Sequence, residues 1–219
     1  MEQKDDLHIY CISGLGADKR VFDFLELACQ FTALDWIPHQ PKENIASYAK
    51  RLIDFYELDK KPNCVIIGVS FGGMIAAEMC SLLKARKVFV ISSATSSKEL
   101  PKIFSLAGRL NLVQWIPKIF LKPNIHLAAF MFGTQRKKLL QSILNETDLD
   151  FLRWGMHAIT TWNKPKNNIE IVTIHGTKDR IIPQKGTKNY SIQNGGHLMI
   201  IDEHIVISNI INEEIKKMY

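Results

Sequence analysis

A serine, an aspartate and a histidine are the residues of this chain whose types and order best suit nucleophilic chemistry. Ser70 lies between two glycines in GVSFG, residues 68–72, and Asp179 and His197 follow in HGTKDRIIP and NGGHLMI. A serine hydroxyl is a weak nucleophile, so it needs a base to take its proton and an acid to orient that base. The residues therefore predict attack by Ser70 on a carbonyl group, with His197 as base and Asp179 as acid.

The sequence around Ser70 fits the pattern G-x-S-x-G, in which a serine occupies a strained turn between a strand and a helix. Gly68 and Gly72 fit that turn because side chains two positions from the serine would crowd it. The apolar run PNCVIIGV before Ser70 and the helical pattern after it supply the expected context. The alternative interpretation is a serine that caps a helix between two packing glycines.

A tetrahedral intermediate carries a negatively charged oxygen that needs at least two hydrogen-bond donors. The N–H group of Phe71, directly after the serine, is one candidate. The loop SGLGAD, residues 13–18, follows the first predicted strand, and its Gly14 and Gly16 let the backbone approach a substrate closely. The N–H group of Leu15 is therefore the second candidate, although an ordinary tight turn would also explain the two glycines.

The histidines give no indication of a metal site. Among the seven, none shows zinc-ligand spacing with a carboxylate, so we expect neither a metal nor a cofactor. His175 ends a predicted strand, where packing or a hydrogen bond to a loop is the expected role. The alternative interpretation of Asp179 and His197 is a solvated turn aspartate and a surface loop histidine.

Strand-like and helix-like segments alternate through most of the chain. Such alternation predicts an α/β fold with a mostly parallel sheet of about six strands and helices on both faces. The predicted strands are residues 7–12, 31–36, 62–69, 86–94, 168–176 and 189–193. The predicted helices are residues 19–28, 43–58, 70–83 and 203–217.

Residues 95–167 interrupt this alternation with helical periodicity alone, broken by prolines. We therefore predict a core made of residues 1–94 and 168–219, with residues 95–167 as a helical insertion. The insertion is rich in large apolar residues, which at helical spacing more often form a small core than a ligand wall. A lid must still roof a pocket, so we expect some of them to line one for a small or medium apolar group. These residues are Phe104, Leu106, Trp115, Ile116, Phe120, Phe130, Met131, Phe132, Phe151, Trp154, Met156 and Trp162.

The composition excludes several classes of protein. With 46% hydrophobic and 23% charged residues, the 219-residue chain has the composition of a globular protein. Its formal net charge is +6, but the lysines are scattered in ones and twos, which does not favour nucleic-acid binding. No apolar run approaches the roughly 20 residues that cross a membrane, and no secretion signal is visible. The four cysteines lie in apolar runs without CxxC pairing, so we expect a cytoplasmic protein, and its oligomeric state stays open.

At this point the sequence resembles the α/β-hydrolase superfamily, specifically its small hydrolases with a helical cap. The resemblance covers nearly the whole chain and depends on SGLGADKRVF, GVSFGG, HGTKDRIIP and GGHLM. It implies that Ser70 is the nucleophile, Asp179 the acid and His197 the base, and that residues 95–167 form the cap. Three features depart from the family pattern. Ser13 stands where many relatives have histidine, and the first two, antiparallel strands of the family are missing. The gap between Asp179 and His197 is also short and leaves little room for a full helix.

The activity expected from this resemblance is hydrolysis of a carboxylic ester through an acyl-enzyme. A lyase of hydroxynitrile type would use the same three residues, and a ligand-sensing protein of this fold would need no catalysis. Glu99 is a rival for the acid because some relatives place that residue after the strand that ends near Ser92. Asp179 follows its own strand more closely, and we expect it to be the acid.

Overall fold

The computed structural model describes residues 7–61, 63–163 and 170–219, and a six-stranded sheet lies at its centre. The strands are β1 (His8–Ile12), β2 (Phe31–Leu34), β3 (Cys64–Val69), β4 (Lys87–Ile91), β5 (Ile171–Gly176) and β6 (Tyr190–Ile192). They are ordered β2-β1-β3-β4-β5-β6, and all five pairings are parallel. The predicted fold class is therefore confirmed.

Helices pack on both faces of the sheet, α1 and α2 on one and α7 and α8 on the other. The helices in chain order are α1 (Ile45–Tyr56), α2 (Phe71–Leu82), α3 (Lys102–Arg109), α4 (Ile125–Phe132), α5 (Lys137–Glu146), α6 (Leu149–Thr161), α7 (Met199–Asp202) and α8 (His204–Lys216). Successive strand residues point to opposite faces. Ile66 of β3 accordingly packs in a core with α1 and α2, while Val65 and Ile67 pack in a second core with α7 and α8. Every residue of β3 is buried, as expected for a strand between two helical layers.

Local sequence sets the ends of α1 and fixes the loop before it. The side chains of Asn44 and Ser47 each accept a hydrogen bond from the other residue's backbone N–H, a reciprocal cap that begins the helix. The helix ends where Glu57 adopts a left-handed conformation, with φ of 52°. From inside the helix, the buried hydroxyl of Tyr48 bonds both the N–H and the carbonyl of Ile37. These bonds hold the loop after β2 against α1.

The segment between β4 and β5 is helical, as its periodicity predicts. Helices α3 to α6 lie there together with three short 3-10 turns, Ser97–Glu99, Leu112–Trp115 and Lys118–Leu121, and residues 95–163 contain no strand. The predicted boundary between residues 167 and 168 lies outside the described residues. Across the described ranges, no helix is both long enough and apolar enough to cross a membrane.

The predicted helix over residues 19–28 is wrong. A 3-10 turn spans Lys19–Phe22, and irregular chain follows it. The backbone N–H groups of Glu26 and Ala28 donate to side chains of α8, Ser208 at 3.0 Å and Asn212 at 2.8 Å. Tertiary hydrogen bonds thus take the place of the bonds that a helix would have formed.

Candidate active site

Ser70 lies at the bend between β3 and α2, at the carboxyl edge of the sheet. Its φ of 52° and ψ of −120° are strained for a non-glycine residue. A Cβ atom on Gly68 would lie 2.3 Å from the carbonyl oxygen of Gly72, and one on Gly72 would lie 2.2 Å from the carbonyl oxygen of Ile12. Both distances are too short for a side chain, so only glycine allows the backbone to pack this tightly around the serine.

The structure brings Ser70, His197 and Asp179 into one hydrogen-bonded chain. Nε2 of His197 lies 2.8 Å from Oγ of Ser70, and Nδ1 of the same ring lies 2.8 Å from Oδ2 of Asp179. An ionised carboxylate only accepts, so Nδ1–H donates to Asp179, and Nε2 is left to accept the Ser70 hydroxyl proton. The ring is thereby oriented to remove a proton from the serine.

Asp179 is held ionised by the groups around it. Its Oδ1 accepts the backbone N–H groups of Ile181 and Ile182, both at 2.9 Å. Burial acts to raise the pKa of Asp179, but hydrogen bonds from His175 and His197 outweigh it and hold the pKa well below its usual range. The carboxylate therefore keeps its charge in acid conditions that protonate an ordinary aspartate.

Burial differs along this chain of hydrogen bonds. Asp179 is 5% exposed and His197 is 3% exposed, whereas Ser70 is half-buried. Phe132, the last residue of α4, packs edge-on against the His197 ring with centroids 5.7 Å apart. Asp179 and His197 are thus shielded from solvent, whereas Ser70 stays partly accessible.

The loop after β1 lies directly against the serine. A Cβ atom placed on Gly14 would be 3.2 Å from Cβ of Ser70. Ser13, which departs from the family pattern, donates its hydroxyl to the carbonyl of Ala17 at 3.0 Å and so closes the loop. Phe71 is the first residue of α2, so its N–H has no acceptor within the helix. The N–H groups of Leu15 and Phe71 thus belong to two backbone segments that meet at Ser70.

Three further residues support this geometry and were not assigned to it from the sequence. The hydroxyl of Ser93 donates to the Ser70 carbonyl, and the hydroxyl of Thr147 donates to the Gly16 carbonyl at 2.7 Å. Nε2 of His175 donates to the Ile182 carbonyl at 2.7 Å and lies 3.4 Å from Oδ2 of Asp179. The expectation that His175 bonds a loop is met, but its contact with Asp179 has no sequence signal, since it depends on how the loop folds back.

Glu99, the rival acid, has other partners. Its carboxylate binds the ammonium of Lys188 and the hydroxyl of Thr95. The hydrogen bonds of the described residues join His197 to Asp179 and not to Glu99. Glu99 instead ties the 3-10 turn after β4 to the loop before β6.

A cleft of about 380 Å³ lies beside the loop after β1. Its wall includes Gly16, Trp36, Ile37 and Phe151, together with three carboxylates and His39, but it does not include Ser70. Of the twelve large apolar residues expected as pocket candidates, Phe151 lines this cleft. Five others are exposed at the surface and do not line it: Leu106, Trp115, Phe120, Phe130 and Met131.

The described residues offer no group of three or more His, Cys, Asp or Glu side chains placed to hold a metal ion. All four cysteines are free, and three of them, Cys11, Cys64 and Cys80, are buried. Burial raises the pKa of Cys11, so its thiol stays protonated.

The chain belongs to the alpha/beta hydrolase family, whose sequence model matches residues 9–206. Solved structures with low sequence identity share the fold. An esterase from Exiguobacterium antarcticum has a TM-score of 0.72 at 14% identity, covering 96% of this chain and 92% of that one. A thermophilic esterase from Thermogutta terrifontis has a TM-score of 0.70 at 13% identity, covering 96% and 90%. The enol-lactonase from Burkholderia xenovorans LB400 has a TM-score of 0.69 at 13% identity, covering 99% and 94%. Curated protein sequences gave no match.

Proposed function

We propose that this protein is a serine hydrolase that cleaves small or medium apolar carboxylic esters through an acyl-enzyme. The observation that carries the proposal is the hydrogen-bonded chain from Ser70 through His197 to Asp179, with 2.8 Å at each step. The fold shared with esterases and a lactonase supports a reaction at an ester carbonyl. We assign Ser70 as nucleophile, His197 as base and Asp179 as acid.

The proposed reaction has two halves. Oγ of Ser70 attacks the ester carbonyl carbon while its proton passes to Nε2 of His197, and the carbonyl oxygen becomes an anion that the N–H groups of Leu15 and Phe71 bind. The carbon–oxygen bond to the alcohol then breaks, and the alcohol oxygen takes the proton from Nε2. Water repeats the same steps on the acyl-serine, releasing the acid and restoring the Ser70 hydroxyl. Asp179 stays ionised throughout and stabilises the imidazolium.

The helices around the site suggest how the substrate is chosen. We propose that α3 to α6 form the cap of residues 95–167 expected from the sequence, over a core of residues 1–94 and 168–219. Trp36, Ile37 and Phe151 give the cleft beside the oxyanion loop apolar walls, which suits the apolar part of an ester. Four free cysteines are typical of a reducing compartment, so we place the protein in the cytoplasm.

A panel of nitrophenyl esters differing in acyl length tests the proposal. The wild-type protein should hydrolyse short and medium esters, and a fluorophosphonate should label Ser70 and stop turnover. Ser70→Ala should lose both properties. Ser81→Ala changes an exposed serine of α2 and should keep both, so it is the matched control.

Two results would contradict the proposal. If the wild type turns over no ester faster than Ser70→Ala and resists labelling, the hydrolase assignment fails and a ligand-sensing role replaces it. If the wild type cleaves a cyanohydrin in a Ser70-dependent way but releases no acid from any ester, a lyase replaces it. Either result would leave the fold unchanged.

A further inference from the structure

The net positive charge of the protein comes from one segment of the helical insertion. Residues 100–145 contain seven Lys or Arg and no Asp or Glu. The other 173 residues hold 21 Lys or Arg and 22 Asp or Glu, so they are close to neutral. The cations are separated along the chain, which is why they do not stand out as a basic block in the sequence.

The same segment exposes large apolar side chains to solvent. Trp115 is 81% exposed, Ile119 is 79% exposed and Phe120 is 74% exposed. Ile103, Leu106 and Leu110 of the α3 region are more than half exposed. We call the surface formed by residues 102–122 the basic apolar face. Single exposed apolar residues are common on proteins, but this many in 21 residues indicate an interaction surface.

The segment that forms the basic apolar face packs on α6 through one side and exposes the opposite side to solvent. Val113 and Leu121 are buried, Gly108 lies against the backbone of Thr160 in α6, and Arg153 of α6 bonds the Gln114 carbonyl. The segment is thus anchored on α6 through one side. Packing within the described residues does not cover the side that carries Trp115.

Several cations of this face remain available to an anionic partner. Lys102 and Arg109, at the two ends of α3, are exposed and form no ion pair within the described ranges of the chain. Lys118 pairs with Asp150 at 2.7 Å, but both side chains are more than half exposed and the pair is open to water. Exposed pairs of this kind are weak, so a stronger anion can displace Asp150.

We infer that the basic apolar face docks onto an anionic lipid surface. Apolar side chains including a tryptophan, with Lys and Arg beside them, are what interfacial segments present to headgroups and acyl chains. Each basic residue near an anionic leaflet adds about 1 kcal/mol of attraction. Docking through this face does not depend on the proposed catalysis, and Ser70→Ala should bind equally well.

A second copy of the chain is a less suitable partner for this face. In a two-fold dimer the same patch meets itself, so basic residues would face basic residues. The segment has no Asp or Glu to offset that repulsion. An anionic lipid surface satisfies both the charge and the apolar side chains at once.

Sedimentation with vesicles tests the inference on the full-length protein. At low ionic strength the protein should bind vesicles of phosphatidylcholine mixed with phosphatidylglycerol, and not vesicles of phosphatidylcholine alone. Added salt should weaken binding because it screens exposed charges. The emission of Trp115 should shift to the blue on binding, and this shift should be lost in Trp115→Phe.

Charge reversal at two places on the protein distinguishes binding through the basic apolar face from binding that follows net charge alone. The double variant Lys102→Glu/Arg109→Glu should bind the anionic vesicles on the order of 30-fold more weakly. The control Lys50→Glu/Lys84→Glu makes the same charge change at exposed positions elsewhere and should lose only about threefold. Equal losses in the two doubles, or no wild-type binding at low salt, would overturn the inference. So would a concentration-dependent dimer that Trp115→Ser abolishes, since a second copy would then be the partner.

Discussion

At the carboxyl edge of the sheet, Asp179 accepts a hydrogen bond from His197, whose other ring nitrogen faces Ser70. At the amino edge, where β4 and β6 begin, Glu214 of α8 accepts hydrogen bonds from Lys87 and Tyr190, both at 2.7 Å. Both carboxylates are buried, and in both the bonded partners lower the pKa below that of a free side chain. The two edges therefore share a buried carboxylate whose pKa is lowered by its partners, but the partners differ.

The difference lies in what each partner is able to do with a proton. A lysine ammonium keeps its proton at neutral pH, so the group around Glu214 holds α8 on the sheet without chemistry. Histidine side chains in general take up and release a proton near neutral pH. Nε2 of His197 lies 2.8 Å from the hydroxyl oxygen of Ser70. A lowered carboxylate pKa thus indicates a bonded partner, and the partner's own acid–base behaviour decides whether a reaction is possible.

The largest loss of kcat should come from substituting Ser70 or His197 at the carboxyl edge of the sheet. Ser70→Ala and His197→Ala should each lower kcat by roughly 10⁵- to 10⁶-fold, because in the proposed mechanism the nucleophile and the base act as one unit. The double variant should lose little more than either single variant. Measuring ester turnover by the two single variants and the double variant checks this prediction. Glu214→Gln, at the amino edge of the sheet, is the control and should keep wild-type turnover. Losses that multiply in the double variant would show that the two residues act independently.

The next largest effect should separate the two candidate acids. Asp179→Asn should lower kcat on the order of 10⁴-fold, because the asparagine no longer holds His197 in the tautomer that accepts the serine proton. Glu99→Gln should lower kcat less than about threefold, since Glu99 binds Lys188 and Thr95 instead. Steady-state kinetics on one ester give both values. The opposite ranking would move the acid to Glu99.

The sheet and the three candidate residues could be predicted because backbone geometry limits them strongly. A buried parallel strand must be apolar throughout, and β3 is. The bend at Ser70 admits no Cβ atom at Gly68 or Gly72, so the motif is visible in the sequence. Asp179 and His197 follow strands β5 and β6, and the carboxyl ends of parallel strands meet at one edge.

Features that depend on distant partners could not be predicted in the same way. Residues 19–28 resemble a helix, but backbone N–H groups in this segment donate instead to the side chains of Ser208 and Asn212, which lie near the other end of the chain. Helical periodicity in residues 95–167 predicts helices but not which apolar residues point outward. Trp115 and Phe120 are among the candidates for the pocket wall, but the structure exposes both to solvent.

A smaller effect should come from His175, which contacts the site through Asp179. His175→Phe removes the donor to the Ile182 carbonyl and to Asp179, so we expect kcat to fall about tenfold with KM nearly unchanged. His175→Gln keeps an N–H donor and should recover part of the loss. If kcat recovers in His175→Gln but not in His175→Phe, His175 acts by positioning Asp179. If both variants keep wild-type kcat, or if only KM changes, His175 does not act through the acid.

The smallest effect should appear at the amino edge, as a change in stability without a change in activity. Hydrogen bonds from Lys217 and Lys87 lower the pKa of Glu214 to about 2 against the opposing effect of burial, whereas an unfolded glutamate titrates near about 4.3. Because the folded pKa is the lower one, the stabilisation is complete above about pH 5 and is lost as the pH falls toward 2. Glu214→Gln should therefore reduce the free energy of unfolding by about 1–2 kcal/mol at pH 7, and by less as the pH falls to 3.

Glu213→Gln changes the exposed neighbour on the same helix and should reduce the free energy of unfolding by less than about 0.5 kcal/mol. Denaturant unfolding at several pH values measures both, and a difference that does not shrink in acid would mean that shape, and not charge, holds α8 at this edge.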